Sequence, residues 1–381
     1  MRVFIVARGY PTDKYKMNGI FEFDQAKALA RAGVDVVYAA VDVRSLRRWR
    51  KWGFEEKTIE GVRVYAVNIP CGRVPKRLLR LISVITLRRL FSRIVKKYGR
   101  PDIVHSHFIN QGYFTVSALK KEGVPIVHTE HYSGMNKTTL DGYSRFMGEH
   151  TYKEADKVIA VSRFVAKNIQ GNFGVEHVVL PKINYTTVFD YSPCHCLGDE
   201  FRFVSAGNLV EGKRMDLLIS AFHKAFANKP KVKLYIYGDG PERNNLERMI
   251  DHLDLSLRVL LMGLVDRRTI ARKMNESHCF VLASQLETFG VVLIEALSCG
   301  LPVIATTCGG PEDFIDNNNG IIVPTNNAEC LADAMKSMHL SINQYNRPSI
   351  ASDTKAKFSP QSVAMKIIGV YEEILEMRKR E

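Results

Sequence analysis

The stretch ETFGVVLIEALSCGLPVI, from Glu287 to Ile304, decides the fold class. Its apolar residues between Val291 and Leu297 cover all sides of a helical wheel, which predicts a buried helix. A Gly-x-Pro sequence then ends the helix, and the β-branched residues that follow predict a buried strand. A helix followed at once by a short apolar strand is typical of a parallel α/β sheet.

Two carboxylates lie eight positions apart in this stretch, Glu287 and Glu295. A carboxylate in an apolar helix is costly unless another group forms hydrogen bonds with it. Glu295 lies in the middle of the predicted helix and cannot cap it, so we expect either a buried basic partner or the hydroxyl groups of a ligand. Glu287 has a second interpretation, because Ser284 and Glu287 have the spacing of a capping box that needs no ligand.

Short β-rich runs alternate with helical stretches along the whole chain. Most of these runs are continuously apolar, as is typical of strands buried on both faces of a parallel sheet. The sequence therefore predicts an α/β fold with two Rossmann-like, doubly wound parallel-sheet domains that face each other across a cleft. The predicted strands are 2–7, 34–40, 63–67, 102–107, 125–130, 157–162, 177–181, 201–207, 231–238, 258–263, 278–284, 302–306 and 320–324.

The predicted boundaries follow from a segment without periodicity at 182–200, which we interpret as a linker. The N-terminal domain is predicted at 1–183 and the C-terminal domain at 201–359. A last helix at 360–381 follows a Ser-Pro break and could cap the second domain or cross back to the first.

Length and composition agree with two soluble globular domains. The chain has 381 residues, of which 46% are hydrophobic and 25% charged. No apolar run is long enough to predict a transmembrane helix, and MRVFIVARGYP at the start predicts a strand, not a signal peptide. The seven cysteines are irregularly spaced, so we expect a reducing cytoplasm without disulfides; Cys279, Cys299 and Cys308 lie in apolar contexts.

Two clusters raise the question of a metal. Cys194-His-Cys196 lacks a second ligand pair at a recognisable spacing, and a polar linker is the preferred interpretation. Four histidines follow predicted strands or lie within them: His105, His107, His128 and His131. Histidines at strand ends are more often structural than metal-binding, so we expect no metal site.

The positive charge is concentrated in one segment. Residues 43–100 contain 17 Lys and Arg against 3 Glu, and this excess equals the net charge of the chain, +14. The segment is either a solvated face or a surface for an anionic partner, such as membrane lipid. Within it, 75–85 has amphipathic spacing that suits a membrane surface, and a break is expected near Thr86. No nucleic-acid-binding motif accompanies the charge, which argues against that partner.

Glycine turns follow several strands of the second half. Gly207 is followed by Lys213 and Arg214 near the start of a helix, where cations and free backbone amides favour an anion. Gly263 and Gly290 follow two other strands. Each of these strand ends offers a feature that a phosphorylated ligand could use, but a single glycine after a strand is more often simple turn chemistry.

The glutamate pair resembles the motif of retaining glycosyltransferases of family 4, which have the GT-B fold. The resemblance extends over nearly the whole chain. The related segments are NGIFEFDQAKALARAGVDV (18–36), PDIVHSH, ADKVIAVS, GDGPE, CGGPEDFI (308–315) and the motif itself.

The resemblance implies roles for residues of the second domain. Glu295 would hold the ribose hydroxyls of a nucleotide, and Glu287 would contact hydroxyls of the transferred sugar. Lys213 would neutralise the diphosphate. The residues expected to offer backbone groups or close approach to the nucleotide sugar are Gly207, Gly263, Leu264, Phe289, Gly290 and Val291.

The resemblance also implies two residues of the first domain and one departure. Gly19 matches the loop that closes on the diphosphate, and His131 matches a histidine at the reacting face of the donor sugar. The family usually has an arginine where this sequence has Asn208, so one cation is missing, and Arg214 is the available substitute.

The expected activity is metal-independent transfer of a hexose, with retention, from a UDP or GDP sugar to an acceptor hydroxyl. The acceptor is expected to be a lipid-linked or cell-envelope glycan precursor, the location cytoplasmic at the inner face of the membrane, and no cofactor is expected. The alternatives are another GT-B enzyme, such as a nucleotide-sugar epimerase or a glucan synthase, and a non-catalytic nucleotide-sugar-binding subunit.

Overall fold

The computed structural model describes residues 1–15, 18–44, 52–72, 74–137, 139–183, 188–193 and 199–380. The chain divides into two compact units. The N-terminal unit comprises Met1–Ile183 together with Pro360–Glu381, and the C-terminal unit comprises Asn184–Ser359. The last helix therefore belongs to the N-terminal unit. The Cys194-His-Cys196 segment lies outside the described residues.

The thirteen strands predicted from sequence are all present, with ends that differ by a few residues, and one further strand was missed. The strands are β1 (Arg2–Ala7), β2 (Asp35–Arg44), β3 (Gly53–Ile59), β4 (Val62–Pro70), β5 (Ile103–His107), β6 (Ile126–Glu130), β7 (Lys157–Ala160), β8 (His177–Val179), β9 (Phe201–Ala206), β10 (Val232–Tyr237), β11 (Val259–Gly263), β12 (Cys279–Leu282), β13 (Val303–Thr306) and β14 (Gly320–Val323).

Helices separate most of these strands, as a doubly wound fold requires. They are α1 (Ile20–Arg31), α2 (Lys76–Tyr98), α3 (Phe108–Leu119), α4 (Gly142–Glu154), α5 (Arg163–Phe173), α6 (Met215–Phe226), α7 (Arg243–His252), α8 (Arg267–Asn275), α9 (Val291–Ser298), α10 (Ala328–Ser341), α11 (Arg347–Phe358) and α12 (Pro360–Arg380).

The sheet of the N-terminal unit has the strand order β3-β4-β2-β1-β5-β6-β7-β8. Every neighbouring pair is parallel except β3 and β4, which form an antiparallel hairpin at the edge. The strand β3 was missed because its sequence, GFEEKTI, is rich in charge and lacks the apolar run of a central strand. An edge strand can be polar since it is exposed to solvent.

Helices cover both faces of this sheet. On one face α1 and α12 contribute Phe23, Leu29 and Tyr371 to a core formed with β1 and β2. On the other face α2 contributes Leu87 and Ile94. Because α12 fills a place in this core, the N-terminal unit depends on a helix that follows the C-terminal unit in the sequence.

The sheet of the C-terminal unit is parallel and has the order β11-β10-β9-β12-β13-β14. Numbered within the unit, this is 3-2-1-4-5-6, the order of a dinucleotide-binding Rossmann sheet. The order reverses between β9 and β12, and ligands of such sheets bind at the carboxyl ends of the strands next to that point. The topology therefore places the candidate site after β9 and β12.

Two predictions about helices were wrong. The basic helix α2 has no break near Thr86; it is continuous, with Ser83, Leu87 and Ile94 buried along one face. The helix α9 is not buried on all sides, since Val291, Val292 and Glu295 are only half-buried. These three residues lie at i, i+1 and i+4, so they form one accessible face of the helix.

Cys279, Cys299 and Cys308 are buried free thiols, in agreement with the apolar contexts of their sequence positions. Burial raises the pKa of Cys299 and of Cys308 to about 12. Their thiols are therefore protonated and act as small apolar side chains.

Candidate active site

The turns after β9, β10 and β11 pack directly against one another at the carboxyl edge of the C-terminal sheet. The Gly207 N–H donates to the Tyr237 carbonyl at 2.9 Å, and the Gly238 N–H donates to the Gly263 carbonyl at 2.8 Å. A side chain on Gly238 would place Cβ 1.8 Å from the Gly207 carbonyl oxygen, so only glycine fits there. Leu264, which follows Gly263, is 75% exposed at this edge.

Lys213 and Glu287 meet at the point where the strand order reverses. Lys213 ends a 3₁₀ turn after β9, and its ammonium donates to Glu287 Oε1. The Ser284 hydroxyl donates to the same carboxylate oxygen at 2.8 Å. Both members of the ion pair are largely but not fully buried, with 29% and 14% of their side chains exposed. The pair is therefore held in place yet remains accessible.

Backbone hydrogen bonds fix the loop that carries Glu287. The Gln285 N–H donates to the Gly212 carbonyl at 2.9 Å, which ties the loop to the Lys213 turn. The Glu287 N–H donates to the Cys308 carbonyl at 2.7 Å, and the Gly310 N–H donates back to the Glu287 carbonyl at 3.0 Å. The loop is thus anchored to the turns of two neighbouring strands, and the carboxylate has a defined position.

The capping-box interpretation of Ser284 and Glu287 is wrong. No helix begins at Ser284; α9 begins at Val291, and its N-cap is Gly290 in the left-handed region with φ 85°. The Ser284 hydroxyl bonds the carboxylate of Glu287 and not a helix amide. The carboxylate of Glu287 therefore binds the Lys213 ammonium and can also accept hydrogen bonds from a ligand at the carboxyl edge of the sheet.

Phe289 contributes its backbone alone to this edge. Its ring is buried against Phe314 and Phe358, with centroid distances of 5.5 and 6.0 Å. Gly290 and Val291 follow at the start of α9, where the first N–H groups of a helix have no partner within the helix. These amides and the positive end of the helix dipole favour an anion.

Glu295 has a protein partner that the sequence did not indicate. Arg267, the first residue of α8, places Nη2 3.0 Å from Glu295 Oε1. The Glu295 side chain is 16% exposed and that of Arg267 is 40% exposed. Of the two expected partners, a basic residue is present, but the pair lies at the surface and not in the core.

Arg214 is engaged elsewhere. Its guanidinium donates to Asp216 at 3.0 Å through Nε and through Nη2, and it also bonds Asn326. Asn208 is exposed. Arg214 therefore gives no support to the idea that it replaces the arginine absent at position 208.

The other two predicted site residues, Gly19 and His131, lie in the N-terminal unit. Gly19 precedes α1 with φ 69°, and a Cβ there would lie 2.1 Å from the Gly9 carbonyl oxygen. His131 follows β6, and its Nε2 lies 3.0 Å from His107 Nδ1. Both residues belong to loops at the carboxyl edge of the N-terminal sheet.

The four histidines are joined to protein groups. His105 contacts Tyr371 and Thr129, His107 contacts His131, and His128 contacts Ser106 and Glu130. Burial lowers the pKa of His105 to about 3 and holds the pKa values of His107 and His131 well below the ordinary value. Within the part of the chain that the structure describes, no group of three or more His, Cys, Asp or Glu residues could hold a metal ion.

Comparisons with known proteins match both units. The family model described as Glycosyltransferase Family 4 matches residues 23–182, and the model described as Glycosyl transferases group 1 matches residues 197–352. The chain belongs to the group 1/family 4 glycosyltransferases. The resemblance noted in the sequence is therefore confirmed.

Individual relatives span most of the chain. An uncharacterized glycosyltransferase of Methanocaldococcus jannaschii is 27% identical over 81% of this chain and 86% of its own length. An alpha-monoglucosyldiacylglycerol synthase of Acholeplasma laidlawii is 24% identical over 77% and 83%. Among solved structures, sucrose-phosphate synthase of Thermosynechococcus elongatus has a TM-score of 0.80 at 20% identity, covering 99% of this chain and 100% of its own. The two parallel-sheet units thus have the GT-B fold.

Sequence reasoning missed residues at both carboxyl edges. In the C-terminal unit these are Ser284, as a partner of Glu287, and Arg267. In the N-terminal unit Arg8 lies 3.9 Å above the Phe108 ring, and Phe108 in turn lies 5.0 Å from the His131 ring. Phe108 has φ 63°, a conformation that a bulky residue rarely adopts. No sequence pattern predicts this conformation.

Proposed function

We propose that this glycosyltransferase moves a hexose from a nucleotide diphosphate sugar, of the UDP or GDP type, to an acceptor hydroxyl with retention of anomeric configuration. The observation that carries the proposal is the Lys213–Glu287 pair at the reversal point of the C-terminal sheet. A cation and a carboxylate held side by side match a donor that has a diphosphate and a hydroxylated sugar.

The diphosphate end of the donor gains negative charge as the sugar departs. Lys213, the turn of Gly207 and the first amides of α9 offer positive charge and hydrogen-bond donors that are already in position. Donors fixed before the reaction need no reorganisation when charge develops, and such electrostatic stabilisation is usually the largest catalytic contribution. Lys213 is the residue to which we assign most of this effect.

The two glutamates have separate tasks in this proposal. Glu287 accepts hydrogen bonds from hydroxyls of the transferred sugar, while Ser284 and Lys213 keep its carboxylate oriented. Glu295 accepts hydrogen bonds from the ribose hydroxyls. It does so in exchange for part of its contact with Arg267, which is a weak contact because the pair is open to solvent.

The remaining predicted residues, apart from Asn208, have roles in the donor complex. Phe289, Gly290 and Val291 present backbone groups to sugar and phosphate, and Gly263 with Leu264 lies where the base would be recognised. Gly19 and His131 serve from the N-terminal unit, Gly19 beside the diphosphate and His131 beside the sugar. The proposed reaction needs no metal and no cofactor.

The acceptor is proposed to be a lipid-linked or cell-envelope glycan precursor used at the cytoplasmic face of a membrane. The relative from Acholeplasma laidlawii is named for a glucosylated diacylglycerol. Among the described ranges, no helix is both long and apolar enough to cross a membrane. We propose that contact with lipid is made by a surface of the N-terminal unit.

The helix α2 offers such a surface, and its chemistry favours anionic lipid. Leu78, Leu81 and Ile85 are 46%, 54% and 41% exposed, although large apolar side chains are usually buried. Arg80 lies on the same helix, with its guanidinium 5.0 Å from the ring of Phe146, itself exposed. Apolar side chains beside cations and an exposed ring suit the headgroup region of a membrane.

Calorimetric titration with UDP, GDP and ADP is the first test, because it identifies the nucleotide without knowledge of the acceptor. Donor sugars with the preferred nucleotide are then incubated with membrane-lipid extracts, with and without EDTA. Glycosylated lipid of retained configuration, formed equally in EDTA, is the expected result. An epimerised donor would favour the epimerase alternative, and nucleotide binding without transfer or hydrolysis would favour the non-catalytic alternative.

A further inference from the structure

The histidines of the N-terminal sheet form a hydrogen-bonded series that ends at His131. On β5, the rings of His105 and His107 stack with centroids 4.5 Å apart, and the ring of His131 stacks on His107 at 5.3 Å. Gln25 of α1 reaches both histidines of the strand: its Nε2 lies 3.3 Å from His105 Nδ1 and 3.4 Å from His107 Nε2. All four side chains are at least nine-tenths buried.

The amide of Gln25 determines which ring nitrogens carry protons. An amide nitrogen can only donate, and a neutral imidazole has one N–H and one lone pair. The structure places the amide nitrogen of Gln25, and not its oxygen, toward both rings, so His107 Nε2 is the acceptor and the proton of His107 is on Nδ1. That N–H points to His131 Nε2, at 3.0 Å, which must in turn be an acceptor. The proton of His131 is consequently on Nδ1.

The Nδ1 atom of His131 is the end of the series. It is buried and has no hydrogen-bond partner among the described residues. An unsatisfied buried donor costs about 1–3 kcal/mol, so its retention calls for an explanation. His131 also lines a small cavity of the N-terminal unit, together with Gln25, Phe21, Thr129 and Lys182.

We propose that Gln25, acting through His107, is a positioning residue that holds His131 as the Nδ1–H tautomer, so that His131 donates a hydrogen bond to a substrate oxygen. In this state the ring has no free lone pair, because Nε2 accepts from His107. His131 therefore serves as a donor to a hydroxyl or ring oxygen and not as a general base. The identity of that oxygen as part of a sugar rests on the proposed function, whereas the tautomer does not.

The tautomer can be measured without any substrate. In long-range proton–nitrogen NMR spectra of the ¹⁵N-labelled full chain, a protonated ring nitrogen resonates well apart from an unprotonated one. The His131 signals are assigned by their loss in His131→Asn. The expected result for the unsubstituted protein is a proton on Nδ1. A proton on Nε2 would overturn the proposal whatever the activity of the protein.

Two variants separate positioning from a general structural role. Gln25→Leu removes the amide N–H groups that fix the direction of hydrogen bonding in this series, so both tautomers of His131 should become populated. Tyr371→Phe is the matched control: it removes the hydroxyl 2.5 Å from His105 Nδ1 but leaves Gln25 and His107 unchanged, so the His131 tautomer should persist. A His131 tautomer that is unchanged in Gln25→Leu, or lost in Tyr371→Phe, would contradict the assignment.

The functional consequence is measured with the donor identified by calorimetry. Loss of one neutral hydrogen bond in the reacting complex should lower kcat by about tenfold in Gln25→Leu, with the nucleotide Kd unchanged. A normal kcat despite mixed tautomers would overturn the role in positioning. If the tautomer is as expected but no donor is turned over by any form, the tautomer stands and sugar transfer is refuted.

Discussion

The guanidinium of Arg267 lies 3.0 Å from the carboxylate of Glu295, which belongs to the accessible face of α9. Glu295 therefore has a partner before any nucleotide arrives. Because both side chains are partly exposed, the interaction free energy of the ion pair is only about 0–1 kcal/mol. Two hydrogen bonds from a ligand to the charged carboxylate would stabilise it more. Arg267 can thus keep the carboxylate oriented while leaving it available to a ligand.

Glu295→Ala should weaken binding of the preferred nucleotide by about 1.5–3 kcal/mol, which is a factor of about 10 to 150, since it removes the acceptor of the ribose hydroxyls. Arg267→Ala should change the Kd by less than about fivefold, because it removes a weak competitor and no ligand contact. Calorimetry measures both. An unchanged Kd in Glu295→Ala would show that Glu295 does not contact the nucleotide and serves only as the ion-pair partner of Arg267.

Lys213→Ala should lower kcat by about 10²–10³, by analogy with the loss of one donor to a developing anion. The control is Lys224→Ala, which removes an exposed lysine of the same unit that pairs with Glu329 at 2.5 Å. That variant should retain full activity. Steady-state kinetics distinguishes the two, and near-normal turnover in Lys213→Ala would remove this residue from the site.

The fold was largely predictable because central parallel strands are continuous apolar runs, such as RVFIVA at β1, and these runs are easy to recognise in the sequence. The edge strand β3 has no apolar run and was therefore not recognised. The helix α2 continues past Thr86 because Leu87, Leu90 and Ile94 pack into the core of the N-terminal unit. The sequence alone does not show that these residues have a core to pack against.

The candidate site was predictable where a motif places groups close together along the chain, as at Glu287 and Gly290. It was not predictable where the partner comes from another element. Arg267 and Glu295 are 28 residues apart, and only the packing of α8 beside α9 brings them together. The tautomer of His131 likewise depends on Gln25, which belongs to a helix more than 100 residues earlier in the chain.

The N-terminal unit should lose stability as the pH falls below about 6.5, the ordinary pKa of histidine in an unfolded chain. Burial lowers the pKa of His105 to about 3 and those of His107 and His131 as well, so the folded state binds fewer protons than the unfolded state. The contribution of these histidines to the free energy of unfolding is complete above pH 6.5. It falls by about 1.4 kcal/mol per pH unit for each histidine as the pH decreases from 6.5 toward the folded-state pKa.

Hydrogen exchange of β5 and β6 at pH 7.5 and pH 5 measures this loss. His105→Gln should reduce the pH dependence by about one proton, whereas His252→Asn, at an exposed position of the other unit, should leave it unchanged. Equal slopes in His105→Gln and in the unsubstituted protein would show that His105 is not the group that titrates.

Replacing Leu78, Leu81 and Ile85 together by serine should lower binding to anionic vesicles by more than about tenfold, since each side chain would lose about 1 kcal/mol or more of apolar burial. Binding of the unsubstituted protein should also weaken from 0.1 M to 1 M salt, as the Debye length falls from about 10 Å to about 3 Å. Co-sedimentation with vesicles that contain or lack anionic lipid measures both effects.

The control for the membrane surface is Leu257→Ser with Leu340→Ser, which removes two leucines of the C-terminal unit that are 86% and 83% exposed. These changes should leave vesicle binding intact. If the triple α2 variant binds vesicles as well as the Leu257→Ser, Leu340→Ser control does, α2 is simply a solvated helix. The same conclusion follows if binding depends neither on anionic lipid nor on salt.

Gly19→Ala should destabilise the N-terminal unit by clearly more than Gly174→Ala. Both glycines have left-handed backbones, with φ 69° and 65°, so both variants carry the strain of about 1–2 kcal/mol. At Gly174 a Cβ meets nothing within 4 Å, whereas at Gly19 it would lie 2.1 Å from the Gly9 carbonyl oxygen. Urea unfolding compares them, and equal losses would mean that the Gly9 loop moves aside freely.

The placement of α12 in the N-terminal core has a consequence for biosynthesis. Tyr371 and Ile374 complete that core, yet they are translated after the entire C-terminal unit. The N-terminal sheet must therefore leave the ribosome with one apolar face incompletely covered and wait for the last helix. Chaperones would meet the nascent chain during that interval, and a stop codon near position 360 would leave the face uncovered for good.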